Sequence, residues 1–127
     1  MLTNMNATAT VGVRDIPAAK EFYSNVLGLE LITNEGDDPG MLLYRSGNTR
    51  VLVYKSAFAG TNQATSITWD VGDRLVDIVA ALKAKGVRFE HYEMEDMQRE
   101  GDIHLSDKIK IAWIKDPDGN ILNINGS

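Results

Sequence analysis

His91 and His104 are the only histidines in the 127 residues, and the chain has no cysteine. Thiolate zinc sites, disulfides and cysteine nucleophiles are therefore excluded. Around the two imidazoles lie the acids Glu90, Glu93, Glu95, Asp96, Asp102 and Asp107. Imidazole beside carboxylate is the material of a divalent-metal site or an acid/base pair. The spacing, however, matches no His-Glu-x-x-His helix. The stretch from Glu93 to Lys108 reads first as a solvated surface loop and second as a lid over a site; the two histidines with their acids read first as surface residues of a solvated acidic loop and second as a loop-borne metal or acid/base site. The sequence shows no Ser-His-Asp arrangement and no glycine-rich phosphate loop. Asp116-Pro-Asp-Gly resembles the start of a calcium loop, but its glycine falls too early and no closing Glu follows at the right distance.

A quieter set of residues is more informative. Asn123 interrupts the apolar run Ile121-Leu122-Asn123-Ile124 that follows the tight turn Asp116-Pro-Asp-Gly-Asn120. In a strand, side chains alternate between faces, so Leu122 and Ile124 share one face and Ile121 and Asn123 the other. The same parity groups Thr8 with Thr10, Ser66 with Thr68, and Ile111 with Trp113. Hydroxyls, one amide, Ile and Trp do not make an ordinary water-facing surface, which would carry Lys, Glu and Arg. Mostly apolar walls with a few orienting polar groups suit a ligand cup. The competing reading is a closed core whose hydroxyls satisfy one another. Trp113 is the candidate for stacking on a planar ligand, with simple core filling as its alternative. Trp69 falls on the opposite, helix-facing side and is expected in the core; Asp70 is expected to be exposed.

The elements that would position these residues come in two copies. Adding 58 to the residue number carries Asp15 to Asp73, Gly28 to Gly86, and Val11 and Val13 to Trp69 and Val71. Each copy reads strand, helix, strand, then two strands joined by hairpin chemistry at Ser46-Gly47-Asn48 or Asp116–Asn120. Asp15 and Asp73 are expected to cap the helices, and Pro17 suits a first turn. Ala18, Phe22 and Val26 form one helical stripe; Leu75, Ile78, Val79 and Leu82 form the other. Gly28 and Gly86 stand where a left-handed residue would stop each helix. The later strands are expected at 41–45, 49–55, 109–115 and 121–125. The expected fold class is thus α+β: two tandem βαβββ modules, about 7–56 and 65–126, forming curved sheets around a cup with the helices outside, all within one domain over 1–127.

Composition adds bounds. A hydrophobic fraction of 43% is that of an ordinary globular chain. No apolar run is long enough to span a membrane. MLTNMNATAT has neither a basic nor an apolar region, so no signal peptide is expected and a cytoplasmic location fits. A net charge of −5 with dispersed Lys and Arg argues against nucleic acid and mildly favours cationic ligands.

The stretch VRDIPAAKEFYSNVLGLEL together with IKDPDGNILNI resembles the vicinal oxygen chelate superfamily, which includes glyoxalase I, fosfomycin-resistance enzymes, extradiol dioxygenases and bleomycin-resistance proteins. The likeness covers nearly the whole chain. It implies that metal-dependent members carry a ligand histidine at the position of Thr8, often a second at Ser66, and a glutamate at Asn123; Leu52 to Tyr54, on the fourth strand, also include no ligand. A metal-dependent mechanism does not carry over to neutral oxygens. The expected ligand-binding residues are Thr8, Thr10, Tyr54, Ser66, Thr68, Ile111, Trp113, Ile121 and Asn123, with no metal and no cofactor. The expected function is small-molecule binding of the bleomycin-resistance type, by a homodimer as the resemblance suggests. The alternatives are a lyase, isomerase or dioxygenase with a relocated or degenerate metal site using His91 or His104, and an interaction module with no small-molecule ligand.

Overall fold

The computed structural model describes residues 1–33 and 39–127. By internal contacts the chain divides into two units, Met1–Asn62 with Pro117–Asn120, and Gln63–Asp116 with Ile121–Ser127.

Unit one begins with β1 (Thr8–Val13) and a helix, α1 (Ile16–Lys20), that continues in π-helical form over Glu21–Val26; β2 (Glu30–Leu31), β3 (Met41–Ser46) and β4 (Thr49–Lys55) follow. The sheet order is β1-β4-β3-β2, with β1 parallel to β4 and the other pairs antiparallel. Asp15 caps the helix as expected, its Oδ1 accepting from the Ala18 amide at 3.1 Å. The four-residue recurrence of Ala18, Phe22 and Val26 is wider than the 3.6 residues of an α-turn. The backbone widens accordingly, and the Leu27 amide donates five residues back to Phe22 O. This turns Phe22 and Tyr23 into the core formed by Val11, Val13, Tyr44, Val51 and Val53. Gly28 then ends the helix at φ 74°, where a side chain would be strained. The turn residues 117–120 belong to this unit: the Arg14 amide donates to Asp118 Oδ1, and Asn120 Nδ2 donates to Gly12 O at 2.7 Å.

Unit two runs β5 (Thr65–Asp70), a 3-10 turn (Gly72–Arg74), α2 (Leu75–Ala84), β6 (Phe89–Glu90), β7 (Gln98–Glu100), β8 (Ile103–Leu105), β9 (Lys110–Lys115) and β10 (Ile121–Gly126). Its sheet order is β5-β10-β9-β8-β7, with β6 also on β9 and β5 parallel to β10. Leu75, Val79 and Leu82 are the buried residues of α2, and Ile67, Ala112, Ile114, Leu122 and Ile124 are buried in the strands. Fully burying a Leu such as Leu122 contributes about 2–3 kcal/mol.

The α+β class with two βαβββ units is what the structure has: neither sheet closes on itself, and each mixes parallel and antiparallel pairs. Two local expectations fail. Asp73 does not cap α2, because it lies inside the 3-10 turn Gly72–Arg74 and the cap position before Leu75 falls to Arg74, which makes no side-chain cap. The side chain that serves this junction is Asp70, whose Oδ1 accepts from the Gly72 amide at 3.1 Å. The stretch 93–108 is also more than a solvated loop. It contains the β7–β8 hairpin, and β8 is paired to β9 through His104↔Ile111 and Leu105↔Lys110.

Candidate functional site

In unit two, Asn123 lies in mid-sheet, between Thr68 of β5 and Trp113 of β9 in the strand register. It therefore faces away from Leu122 and Ile124, as alternation requires. Asn123 and Trp113 are each 7% exposed. Asn125 Nδ2 donates to Asn123 Oδ1 at 3.3 Å, and the Asn123 amide nitrogen makes no hydrogen bond among the described residues. Ile111 stands opposite Asn125 on the same face. At the start of β10 the pairing to β5 shifts between Ile121 and Leu122, whose partners are Thr65 and Ile67. Ser66 is the extra residue of this bulge, half-buried and without a partner in the register.

The register brings two further side chains to this face that the sequence did not assign to it. Glu90 of β6 is opposite Trp113, and His104 of β8 is opposite Ile111. His104 is 1% exposed, so it is not the surface histidine expected from an acidic loop. The signal for it was local: His104 is flanked by Ile103 and Leu105, an apolar pair that turns into a strand beside β9. Its ring packs edge-on against Trp113, centroids 4.7 Å apart, and Tyr92 meets Trp113 edge-on at 5.3 Å. Both imidazole nitrogens are engaged by backbone. Nε2 accepts from the Tyr92 amide at 3.0 Å, which leaves the proton on Nδ1 to point at Ile111 O, 3.3 Å away. The Tyr92 hydroxyl is buried with no hydrogen-bond partner among the described residues.

In unit one, the register Thr8↔Arg50, Thr10↔Leu52 and Gly12↔Tyr54 sets Thr8, Thr10 and Tyr54 on the sheet face away from the core valines. Thr8 and Thr10 are exposed, and Thr10 Oγ1 donates to Thr8 O at 3.2 Å. Tyr54 is 39% exposed. Arg50 and Arg45 continue this face, so it is more charged at that end than the hydroxyls alone suggested.

A divalent metal does not fit these donors. Thr8 in one unit, and Ser66 and Asn123 in the other, offer neutral oxygens where such an ion wants imidazole or carboxylate. His104 has no free nitrogen to give, and Glu90 pairs with Lys115 at 3.5 Å. His91 is committed elsewhere: its Nε2 donates to Asp102 Oδ1 at 2.7 Å, while Lys83 Nζ holds Asp102 Oδ2 at 2.9 Å. The His91 hydrogen bond, reinforced by Lys83, keeps the Asp102 carboxyl below the ordinary carboxylate range despite its burial.

The chain matches the family model for the Glyoxalase/Bleomycin resistance protein/Dioxygenase superfamily over residues 6–124. Among solved structures it is similar to a lactoylglutathione lyase from Agrobacterium tumefaciens, with a TM-score of 0.72 and 16% identity over 100% of this chain and 96% of the other. A genomically encoded fosfomycin resistance protein from Listeria monocytogenes gives a TM-score of 0.72 at 12% identity, covering 100% and 95%. A glyoxalase/bleomycin resistance protein from a Streptomyces species gives 0.69 at 21% identity, covering 94% and 98%. At these identities the likeness is one of fold. No curated protein matches the chain.

Proposed function

Because the chain belongs to the glyoxalase/bleomycin resistance protein/dioxygenase superfamily, we propose that it is a small-molecule binding protein of that type, working without a bound divalent metal and as a homodimer. The observation that carries this reading is the amide at 123. Asn123 sits between Thr68 and Trp113 with an amide nitrogen unengaged among the described residues, and it offers a ligand hydrogen bonds but no charge. Ile111, Ile121 and Trp113 give the apolar surface in unit two, and Thr68 and Ser66 give it hydroxyls; taken by itself, the face of unit one carries the hydroxyls of Thr8, Thr10 and Tyr54. The net charge of −5 weakly favours cationic ligands over anionic ones, and Trp113 offers a ring to a planar one. A lyase, isomerase or dioxygenase with a relocated metal site is the weaker reading, since His104 is held at both nitrogens by backbone.

The test is a fluorescence titration with planar cationic aromatics, in wild type and in Asn123→Leu. Asn123→Leu keeps the volume and removes the polar group. A saturable response that weakens by about tenfold in the variant supports the proposal, since one hydrogen bond to a ligand is worth about 1.4 kcal/mol or more. A response of equal affinity in both proteins would contradict it. Light scattering of the same sample reads the dimer.

A further inference from the structure

Unit two has a second recess beside the end of α2, bordered by Glu90, which stands opposite Trp113 in the strand register. It is a cleft of about 390 Å³ between the end of α2, the chain from Val87 to His91, and Asp102. Three features set it apart from ordinary surface. First, Asp102 is only 14% exposed in its side chain and accepts from two donors, His91 and Lys83. Its charge is balanced within the cluster, and the imidazole is fixed in orientation. Second, in the neutral imidazole of His91 a donating Nε2 leaves the lone pair on Nδ1. That nitrogen makes no hydrogen bond among the described residues, and the His91 side chain is 44% exposed where it lines the cleft. Third, Arg88 lines the same cleft, is exposed, and has no hydrogen bond or ion pair among the described residues. Glu90, the other acid of the cleft, is paired with Lys115. The uncompensated charge is therefore positive and sits on a guanidinium, whose forked donors match a two-oxygen anion. Val87 and Phe89 supply apolar lining between the polar groups.

From this arrangement we infer that the cleft is a binding site for a small organic carboxylate that also carries a hydrogen-bond donor, such as a 2-hydroxy acid. Arg88 takes the carboxylate. His91, oriented by Asp102, accepts from the hydroxyl at Nδ1. The apolar part of the acid lies along Val87. Lys83 holds Asp102 and is a positioning residue. The site differs from the Asn123 face in taking an anionic ligand, and it adjoins that face through Glu90, opposite Trp113, and through the His91 ring, 6.5 Å from that of His104.

The experiment is an amide ¹H–¹⁵N titration of the full chain with mandelate and with phenylacetate, which lacks the hydroxyl. Wild type is expected to show saturable shifts at Val87 to His91 and Asp102, with mandelate binding several-fold tighter. Arg88→Met, at an exposed side chain with no internal partner, is expected to fold normally and weaken both ligands by about tenfold, as loss of a charge-assisted bond implies. His91→Phe is expected to abolish the preference for mandelate while leaving phenylacetate affinity within about twofold. The inference is overturned if shifts fail to saturate by about 20 mM, if Arg88→Met binds as wild type does, or if the shifts fall at Thr68 and Asn123 instead. The last outcome would relocate the acid to the Asn123 face without touching the proposal made for that face.

Discussion

Replacing His104 with Phe separates the packing of this ring from its hydrogen bonding. Phe preserves an aromatic ring against Trp113 and Tyr92, which stand 4.7 Å and 6.3 Å from the imidazole centroid. It removes the acceptor for the Tyr92 amide, bonded at 3.0 Å, and the donor near Ile111 O at 3.3 Å. An amide left unpaired in the interior costs about 1–3 kcal/mol, and the longer contact to Ile111 less than about 1 kcal/mol. His104→Phe is therefore expected to lower stability by about 1–4 kcal/mol, a large share of the total for a domain of this size. His91→Gln is the control. Its side chain is 44% exposed, and Asp102 keeps Lys83 when the imidazole is gone, so the cost is expected below about 1 kcal/mol. Urea unfolding, followed by tryptophan fluorescence and circular dichroism, reads both. At an m-value of about 2 kcal/mol/M, His104→Phe shifts the midpoint by about 0.5–2 M with m unchanged. A His104→Phe protein within about 0.5 kcal/mol of wild type, or a His91→Gln protein equally destabilised, would refute the burial and bonding pattern assigned to the two histidines.

Further expectations concern the carboxylate and a close backbone approach. Asp102 is held below the ordinary carboxylate range by His91 and Lys83, so its contribution to stability is present above the unfolded-state pKa of about 3.9 and fades as pH falls through the folded value. Asp102→Asn should accordingly be less stable than wild type at neutral pH, with the gap closing in acid; urea midpoints across pH measure this, and a gap independent of pH would contradict it. Gly126→Ala should lose about 1–3 kcal/mol, because the added methyl would run into the Gly72 carbonyl and the Leu75 side chain. Thermal unfolding checks that, and an unchanged midpoint would mean that β10 does not press on the turn before α2.

The strand and helix pattern was legible because it repeats. Period-two alternation in Ile121–Ile124 separates the face of Leu122 and Ile124 from that of Ile121 and Asn123, although both are buried; the stripe of Leu75, Val79 and Leu82 names the buried side of α2, and Gly86, at φ 87°, ends α2 where the sequence placed a left-handed residue. The parity of Asn123, Thr68 and Trp113 followed from the same alternation. What could not be read was the pairing of short elements. β6 has two residues and β8 three, too few for a period, and only their register with β9 brings Glu90 and His104 beside Trp113. Composition misplaced His104 for that reason: the surrounding acids described the loop, while Ile103 and Leu105 described the strand. The Asp73 cap was misread because sequence offset cannot show that a 3-10 turn delays the α-helix by one residue and puts Arg74 at the cap. The bulge at Ser66 was equally invisible, since β5 keeps its own alternation through it and only the pairing to β10 shows the extra residue.

The most direct test of the account is calorimetric titration of the purified chain, stripped of metal, with Zn²⁺, Ni²⁺ and Mn²⁺. Neutral oxygens at Thr8, Ser66 and Asn123 predict no stoichiometric uptake, with only the weak, non-saturating heats of surface carboxylates. Uptake of one ion per chain at about 1 µM or tighter, lost in Asn123→Leu, would contradict the central claim that this member of the superfamily binds its ligand without a divalent metal.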